Sequence, residues 1–510
     1  MRILQVSAEF FPLLKTGGLA DVAGALPWAL RDAGADVRVL LPGFPSILAG
    51  VRTRGDRPDS VAFAAGPTST SLLGHTPWGD PVHVIRGWIE NPGPPDATPL
   101  VAYVIDAPTL YDRPGSPYED AEHRPYDDNA RRFALLGWVA AQLAQGLDPA
   151  WRPEVVHAHD WHAGLAPAYM ALGPSDGQPS AASVFTVHNL AYQGVFAYER
   201  FPELGLPGSA YQMHGVEFHG GWSFMKAGLF YADRLTTVSP SYAREIQTPA
   251  QGHGLDGLLA SRGGDLTGIL NGVDETTWDP AHDAFLPTPF NAQKPAGKAL
   301  CKATMQAELG LAQAPEAPLF IVVSRLSEQK GLPLVLQGLD ALQAKGAQLA
   351  LLGSGESWLE QAFSERARAA PRSVSATIGY DEARAHRLFG AGDVTLVPSL
   401  FEPCGLTQLY GLKYGSLPVV RSVGGLADSV VDASPQALAD GSASGFVFSR
   451  FALEDYLEAI DRAVALFLNA PSWQQVRAQA MRRRFCWAEA ATKYMAVYRS
   501  LLGPIRASAA

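Results

Sequence analysis

Residues 320–331 read FIVVSRLSEQKG, and this stretch contains the pattern from which the fold follows. It begins with a continuous apolar run rich in β-branched residues, which is typical of a strand buried on both faces of a parallel sheet. The remainder is mostly polar and closes on a glycine, so a loop follows where the strand ends. Arg325 and Lys330 lie on that loop, where a guanidinium fork and an ammonium group would suit a bound diphosphate. Exposed loop charges are the alternative interpretation.

The same pattern of short apolar runs recurs along the whole chain. Towards the amino terminus the runs lie at 2–6, 36–41, 82–85, 101–105, 155–159, 184–187, 235–238 and 267–270. Towards the carboxyl terminus they lie at 349–352, 374–378, 394–397 and 417–420. Helical spacing separates several of these runs, as at 131–147. Alternating strands and helices predict parallel, doubly wound sheets.

The strands form two sets, which indicates two domains. A polar stretch with several prolines, 279–295, separates the sets and is interpreted as an interdomain linker. We therefore predict an α/β fold with two Rossmann-like domains, 1–278 and 279–486, that face a central cleft. Residues 487–510 are predicted to form one amphipathic helix with a frayed tail from 503. Three segments rich in Pro, Gly and Ser are predicted surface loops: 51–60, 90–99 and 173–182.

Composition excludes several classes of function. The chain has 510 residues, with 40 Lys and Arg against 50 Asp and Glu, and shows no cluster of positive charge. Nucleic acid and membrane surfaces are therefore not expected partners. The widely spaced Cys301, Cys404 and Cys486 exclude a disulfide framework and favour a reducing compartment. The chain has no apolar run long enough to span a membrane, and its first residues do not resemble a signal peptide, so we expect a soluble, cytoplasmic protein.

Polar residues follow several strands in the first half of the chain. Residues 15–21 read KTGGLAD, and the lysine and two glycines before a predicted helix suit a phosphate. A tight turn with a solvated lysine explains them equally well. His188 and Asn189 follow the strand at 184–187 and form a polar pair able to contact sugar hydroxyls. For this pair alone, a core histidine with satisfied hydrogen bonds is the favoured alternative.

Residues 157–162 read HAHDWH, which suggests a metal site. The aspartate directly follows His159, however, so the spacing does not match the HxHxDH pattern of metallo-hydrolases. We expect histidines that are buried at a strand end, with Asp160 directed into the cleft. No metal site is predicted, and a metal hydrolase built on His157, His159 and His162 stays an alternative.

The densest group of polar residues lies at 398–408, PSLFEPCGLTQ, where a helix is predicted to begin near Leu406. The amino terminus of a helix offers free N–H groups and partial positive charge. Glu402 lies beside that terminus as a single carboxylate able to accept hydrogen bonds from sugar hydroxyls. The alternative is a capping turn with a buried thiol at Cys404.

In this order, the motifs resemble those of the bacterial glycogen synthase and starch synthase family of glycosyltransferases. The segments that carry the resemblance are 15–19, 157–162, 186–193, 271–274, 324–331, 401–410 and 424–426. The resemblance implies the GT-B fold, with a final helix that crosses back to the first domain. It also implies transfer of glucose from ADP-glucose to the non-reducing end of an α-1,4-glucan such as glycogen, with retention of configuration and no cofactor.

The resemblance implies roles for individual residues. Those implied as catalytic are Asp160, His188, Arg325, Lys330 and Glu402. Those implied as substrate-binding are Lys15, Gly18, Asp21, Asn189, Asn271, Cys404, Gly405, Leu406 and Thr407. Within this set, Arg325 and Lys330 would stabilise the departing ADP, and the carbonyl of His188 would stabilise positive charge on the sugar.

Other functions remain open from the sequence. The same cations would bind any nucleoside diphosphate, so UDP-glucose or a different acceptor is an alternative. A glucan-binding scaffold without activity is another, and intact Lys15, Arg325, Lys330 and Glu402 disfavour it. Pyridoxal phosphate is not expected. No carboxylate nucleophile is evident near the transferred sugar, so front-face attack by the acceptor is preferred over double displacement.

Overall fold

The structure, a computed structural model, describes residues 1–52, 70–78, 81–91, 98–173 and 181–503. The predicted loops at 51–60, 90–99 and 173–182, and the predicted tail from 503, lie largely outside these residues. The chain forms two compact units. Unit 1 comprises Met1–Val238, Ala243–Ile269 and the segment from Trp487 onward, and unit 2 comprises Ser239–Tyr242 and Leu270–Cys486.

The strands and helices of the described residues alternate along most of the chain. The strands are β1 (Arg2–Val6), β2 (Asp36–Pro42), β3 (Thr70–His75), β4 (Pro81–Ile89), β5 (Leu100–Asp106), β6 (Val155–His159), β7 (Ala182–Val187), β8 (Val195–Ala197), β9 (Glu217–Phe218), β10 (Gly221–Ser223), β11 (Arg234–Thr237), β12 (Leu266–Gly268), β13 (Leu319–Val323), β14 (Gln348–Gly353), β15 (Val374–Ile378), β16 (Val394–Val397), β17 (Leu417–Arg421) and β18 (Phe446–Phe448). The α-helices are α1 (Gly18–Asp32), α2 (Pro45–Gly50), α3 (Pro108–Tyr111), α4 (Asn129–Ala144), α5 (Leu165–Leu172), α6 (Phe224–Tyr231), α7 (Pro240–Glu245), α8 (Asp256–Ser261), α9 (Gly297–Glu308), α10 (Leu332–Ala344), α11 (Ser357–Ala369), α12 (Glu382–Ala391), α13 (Thr407–Lys413), α14 (Gly424–Ser429), α15 (Pro435–Asp440), α16 (Leu453–Leu468), α17 (Ala470–Arg482) and α18 (Trp487–Leu502).

The main sheet of unit 1 has the strand order β12-β11-β7-β6-β1-β2-β5-β4-β3. Its neighbours from β12 to β5 pair in parallel, as predicted. The prediction is wrong for β4, which pairs antiparallel with both β5 and β3. Residues 90–99 connect β4 to β5, and they are fewer than the dozen or so that a parallel crossover needs.

The sheet of unit 2 has the order β15-β14-β13-β16-β17-β18, and all of its pairs are parallel. Its central strand β13 is buried on both faces, as its sequence predicts. Phe320 and Val322 pack into one apolar cluster, and Ile321 packs into another. In each unit the strand order reverses at one central strand, β1 in unit 1 and β13 in unit 2. Open α/β sheets bind ligands at the carboxyl end of such a switch point.

The stretch 279–295, interpreted from sequence as a linker, is packed into unit 2. Leu286 and Phe290 are buried in an apolar cluster of that unit, whereas Phe285 in the same stretch is exposed. As contacts define unit 1, the chain leaves it after Ile269 and returns to it at Trp487. The backbone N–H of Val273 donates to the carbonyl of Phe485 at 2.6 Å. The domain boundary after residue 278 stays a prediction.

The last helix, α18, belongs to unit 1. It packs against α1 and β7, and its Tyr494 and Tyr498 side chains are fully buried. This return confirms the carboxyl-terminal helix that the resemblance implied. Among the described residues, none of the helices has both the length and the apolar character needed to cross a membrane.

Candidate active site

The loop after β1 is organised by one buried carboxylate, that of Glu9. The Glu9 side chain accepts hydrogen bonds from the backbone N–H groups of Thr16, at 2.7 Å, and Gly17, at 3.3 Å. It also accepts from the hydroxyls of Thr16 and Tyr118. Since all these donors converge on one side chain, the loop from β1 to α1 has a defined conformation.

Lys15, Gly18 and Asp21 lie on this loop and on the first turn of α1. Lys15 Nζ pairs with Asp21 Oδ1 at 2.8 Å, and both side chains are partly exposed. A Cβ placed on Gly17 or Gly18 would meet no atom of the described residues within 4 Å. Packing within the chain therefore does not require these glycines. The open space beside the amino terminus of α1 suits an approaching anionic group.

Asp160 follows β6 in an uncommon backbone conformation, with φ of 58°. Its side chain is buried, and Oδ1 has no hydrogen-bond partner among the described residues. Burial raises the pKa of the Asp160 carboxyl to about 7, although the backbone N–H groups of His188, Asn189 and Trp161 favour the ionised form. Asp160 thus presents a buried oxygen that needs a hydrogen-bonding partner.

His188 and Asn189 follow β7, the neighbour of β6. The backbone N–H of Asn189 is one of the groups that stabilise the Asp160 carboxylate. A trans peptide unit holds its N–H and its C=O on opposite sides. The carbonyl of His188, which shares that peptide unit, is therefore turned away from Asp160.

The three histidines of 157–162 differ in their hydrogen-bond and stacking partners, although the ring centroids of His157 and His159 lie 4.1 Å apart. His157 contacts Tyr498 and Thr186, and His159 contacts Gln5 and His188. His162 stacks on Tyr118 with ring centroids 4.7 Å apart. Burial lowers the pKa of His157 and of His162 to about 3. Within the described part of the chain, no group of three or more His, Cys, Asp or Glu side chains is arranged to hold a metal ion.

In unit 2, the loops after β13 and β16 are joined by an ion pair. Lys330 Nζ lies 2.6 Å from Glu402 Oε2, and Ser399 Oγ donates to the same carboxylate oxygen at 3.0 Å. Gly331, with φ of 72°, allows this approach, because a Cβ there would lie 2.0 Å from the carbonyl oxygen of Pro398. The structure thus brings together two predicted site residues from different strand ends.

Arg325, on the same loop as Lys330, is exposed. Its guanidinium forms no ion pair or side-chain hydrogen bond with any residue that the structure describes. Lys330 is held by a carboxylate, whereas Arg325 is available to bind an anionic ligand directly.

Asn271 and Cys404 contact each other inside unit 2. Hydrogen bonds from the backbone and side chain of Asn271 favour the ionised Cys404, yet burial dominates and raises the pKa of the thiol to about 12. Cys404 is therefore a neutral, structural thiol at physiological pH. Asn271 Oδ1 is buried without a hydrogen-bond partner among the described residues, as is Asp160 Oδ1 in unit 1.

The segment from Cys404 to Thr407 is anchored by Gln408, which is fully buried. Gln408 Nε2 donates to the carbonyls of Cys404 and Gly405, both at 2.9 Å. Thr407 Oγ1 donates to the carbonyl of Val323 at the end of β13, at 3.3 Å. Helix α13 begins at Thr407, next to the predicted start near Leu406.

Comparisons with known proteins agree with this architecture. The family model of the starch synthase catalytic domain matches residues 2–261, and that of glycosyl transferases group 1 matches residues 310–468. The chain is 65% identical over 506 residues to the glycogen synthase of Variovorax paradoxus (strain S110), covering 98% of this chain and 99% of the relative. It is 48% identical over 504 residues to the glycogen synthase of Francisella tularensis subsp. novicida (strain U112), covering 98% and 99%. The chain belongs to the glycogen synthase and starch synthase family.

A solved structure of the family is similar along nearly the whole chain. The catalytic domain of starch synthase IV from Arabidopsis thaliana, bound to ADP and acarbose, superposes with a TM-score of 0.82 at 29% identity and covers 98% of both chains. This match confirms the predicted GT-B fold with its two Rossmann-like domains. As a member of this family, the chain is a glycosyltransferase.

The predicted site residues of the family fall into one group in each unit. Unit 1 brings Asp160, His188 and Asn189 together, and Tyr118 links them to the loop of Lys15, Gly18 and Asp21. Unit 2 brings Lys330 to Glu402 and Asn271 to Cys404, with Arg325, Gly405, Leu406 and Thr407 on the same two loops. Their contacts with substrate stay predictions.

Sequence reasoning missed Glu9, Tyr118 and Gln408. Glu9 lies in the loop that follows the first strand, three positions after Val6, so a search for polar residues in strand-end loops could have found it. Tyr118 lies in a loop between α3 and α4 that has no strand-end signal. Gln408 lies within the motif of 398–408, but nothing in the sequence shows which carbonyls it binds.

Proposed function

We propose that this chain transfers glucose from ADP-glucose to the non-reducing end of an α-1,4-glucan such as glycogen, with retention of configuration and release of ADP. The observation that carries the proposal is that two buried acceptor oxygens, Asp160 Oδ1 in unit 1 and Asn271 Oδ1 in unit 2, have no hydrogen-bond donor among the described residues. A buried polar atom without a partner is costly, and the hydroxyl groups of a sugar would supply the missing donors.

Charged groups at the strand ends support an anionic leaving group. As the bond between C1 and the phosphate oxygen breaks, negative charge grows on the diphosphate. The unpaired Arg325 guanidinium would stabilise that negative charge directly. Lys330 and Lys15 would contribute further positive charge, while each keeps its carboxylate partner. A preorganised donor of this kind contributes about 3 kcal/mol to transition-state stabilisation.

The carboxyl groups support front-face attack. Asp160, with a pKa of about 7, is largely protonated below neutral pH and is then a weak nucleophile. Glu402 is held by Lys330 and Ser399. In the proposed step the acceptor O4 forms the new bond to C1 on the face that the diphosphate leaves. The O4 proton passes to the departing phosphate oxygen, and the His188 carbonyl stabilises positive charge on the sugar.

The choice of ADP-glucose is supported by the starch synthase IV structure, which was bound to ADP and acarbose.

A cytoplasmic location is also part of the proposal, and the three free cysteines suit the reducing compartment that it requires. Neither nucleic acid nor a membrane is a proposed partner.

The testing experiment measures glucose incorporation into a glycogen primer with ADP-glucose and UDP-glucose side by side. We expect strong preference for ADP-glucose. Preference for UDP-glucose would contradict the donor while leaving glucosyl transfer in place. Glycogen binding without transfer from either donor would favour the scaffold without activity. A trapped covalent glucosyl–enzyme adduct would contradict front-face attack.

A further inference from the structure

A line of hydrogen bonds runs through the interior of unit 1 from α18 to His188. Gln5 Nε2, on β1, donates to the hydroxyl of Tyr498 on α18 at 3.3 Å. Gln5 Oε1 lies 2.6 Å from His159 Nε2, and His159 Nδ1 lies 3.0 Å from His188 Nε2. We call Tyr498, Gln5, His159 and His188 the polar line.

The direction of each hydrogen bond in the polar line follows from the donor and acceptor atoms. Burial lowers the pKa of His159, and it lowers that of His188 to about 3, so both rings are neutral. Gln5 Oε1 only accepts, so His159 carries its proton on Nε2 and accepts at Nδ1. His188 must then donate from Nε2. The tautomer of His188 is thus determined by the orientation of the Gln5 amide.

Tyr498 in turn binds that amide from the side of α18. Its hydroxyl accepts from Gln5 Nε2 and is 2.7 Å from His157 Nδ1, to which it donates. His157 Nε2 then donates to Thr186 Oγ1 at 2.5 Å. A reversed Gln5 amide would reverse every one of these bonds and would place the His188 proton on Nδ1.

We propose that Gln5 and Tyr498 are positioning residues for glucosyl transfer, acting through His188. The inference rests on the proposed function, in which the His188 carbonyl contacts the sugar. His188 is held at two points: its ring by His159, and its peptide to Asn189 by Asp160. With the ring released, the carbonyl loses one of its two constraints. A displacement of about 1 Å at a reacting centre costs up to about a hundredfold in rate.

The test compares two variants of the polar line with a matched control in the intact protein. Gln5→Met keeps the length of the side chain and removes both hydrogen bonds, and Tyr498→Phe removes only the hydroxyl. Tyr169→Phe removes another buried hydroxyl of unit 1, which donates to the Leu204 carbonyl at 2.6 Å outside the polar line. We expect kcat to fall at least about tenfold in the first two variants, with KM for ADP-glucose within about twofold of wild type. The control should keep wild-type kcat.

A double variant separates positioning from general stability. If Gln5 acts through His188, then Gln5→Met added to His188→Ala should lower kcat by less than about twofold beyond His188→Ala alone. Gln5→Glu, which keeps an acceptor for His159 Nε2, should retain several-fold more kcat than Gln5→Met. If Gln5→Met does not fold, Tyr498→Phe is combined with His188→Ala in its place.

The possible failures are distinguishable. Multiplicative losses in the double variant, or wild-type kcat in both single variants, would overturn the positioning role and leave the proposed function intact. Wild-type kcat in His188→Ala would overturn this inference, because the substitution removes the ring that His159 holds and keeps the backbone carbonyl, and it would leave the proposed function intact. Absence of glucosyl transfer by the wild-type chain would overturn the proposed function itself.

Discussion

The ammonium group of Lys330 lies 2.6 Å from a carboxylate oxygen of Glu402, so a cation proposed to bind diphosphate is held by an acid before any ligand is bound. The carboxylate side chain is buried, and the lysine is partly exposed. Arg325, on the same loop, has no such partner among the described residues. The two cations are therefore expected to respond differently to substitution.

Substitution of Arg325 should affect activity alone. Because its guanidinium is exposed and unpaired within the described structure, Arg325→Ala removes only the contact with the diphosphate. We expect kcat with ADP-glucose to fall about a hundredfold, with an unchanged midpoint of thermal unfolding. Steady-state kinetics and a thermal melt of the same preparation measure both. A variant with near wild-type kcat would count against the diphosphate role.

Substitution of Lys330 should affect both activity and stability. Lys330→Ala leaves the buried Glu402 carboxylate with the Ser399 hydroxyl as its one remaining side-chain partner among the described residues. We expect kcat to fall about as much as in Arg325→Ala, and the free energy of unfolding to fall by about 2 kcal/mol. Lys330→Ala combined with Glu402→Gln should recover the stability but not the activity. An unchanged melting temperature in the single variant would show that the pair contributes nothing to the fold.

Asp160 should make stability depend on pH. Its pKa is about 7 in the folded chain against the ordinary value of 3.8, so between these values the folded state binds the proton more tightly than the unfolded state does. The stability that the carboxyl contributes is present below about pH 4 and is lost as the pH rises through 7. Asp160→Asn removes this dependence, since the amide does not titrate.

The measurement is the midpoint of thermal unfolding of wild type and Asp160→Asn between pH 4 and pH 8. We expect similar midpoints near pH 4 and a midpoint several degrees higher for the variant near pH 8. Midpoints that run parallel over the whole range would contradict the raised pKa.

Two glycine substitutions should separate ligand contact from folding. A Cβ at Gly18 meets no protein atom within 4 Å, whereas a Cβ at Gly331 would lie 2.0 Å from the Pro398 carbonyl oxygen. Gly18→Ala is expected to keep the wild-type melting temperature and to raise KM for ADP-glucose about tenfold, because the methyl group occupies the proposed phosphate space. Gly331→Ala is expected to lower the melting temperature. Equal effects of the two substitutions on stability would contradict the open space at Gly18.

Cys404 should resist alkylation in the native protein. Its thiol is buried with a pKa of about 12, while Cys486 is partly exposed. After treatment with iodoacetamide near pH 7.5, mass spectrometry should find the label on Cys486 before Cys404, and Cys404 should react only after denaturation. Rapid labelling of native Cys404 would show that the thiol is accessible and ionised.

The sequence predicted most of the two sheets, because strands buried on both faces leave continuous apolar runs. It failed for the direction of β4, whose apolar residues are the same in kind as those of the parallel strands of the sheet. The difference lies in the connection to β5, since a short loop permits only an antiparallel partner. The short strand β18, with three residues, is below the length at which a run of apolar residues is distinctive.

For the candidate site, the sequence indicated which polar residues follow the strands. Asp160 and His188 meet in the structure because each follows a parallel strand and parallel strands end at one edge of a sheet. The hydrogen-bond and ion-pair partners that are distant in the chain were not predictable from the sequence. Glu402 is 72 positions from Lys330, and Tyr498 is 493 positions from Gln5.

The sequence by itself determined the strands, the order of the motifs and, through them, the family, because these depend on local patterns of apolar, polar and glycine residues. The tertiary structure decided which cation is paired and which is free, which oxygens are buried without donors, and how α18 contacts the histidines of β6. These properties depend on distances between atoms far apart in the chain and on the exclusion of water around them, and neither quantity is encoded in any one segment.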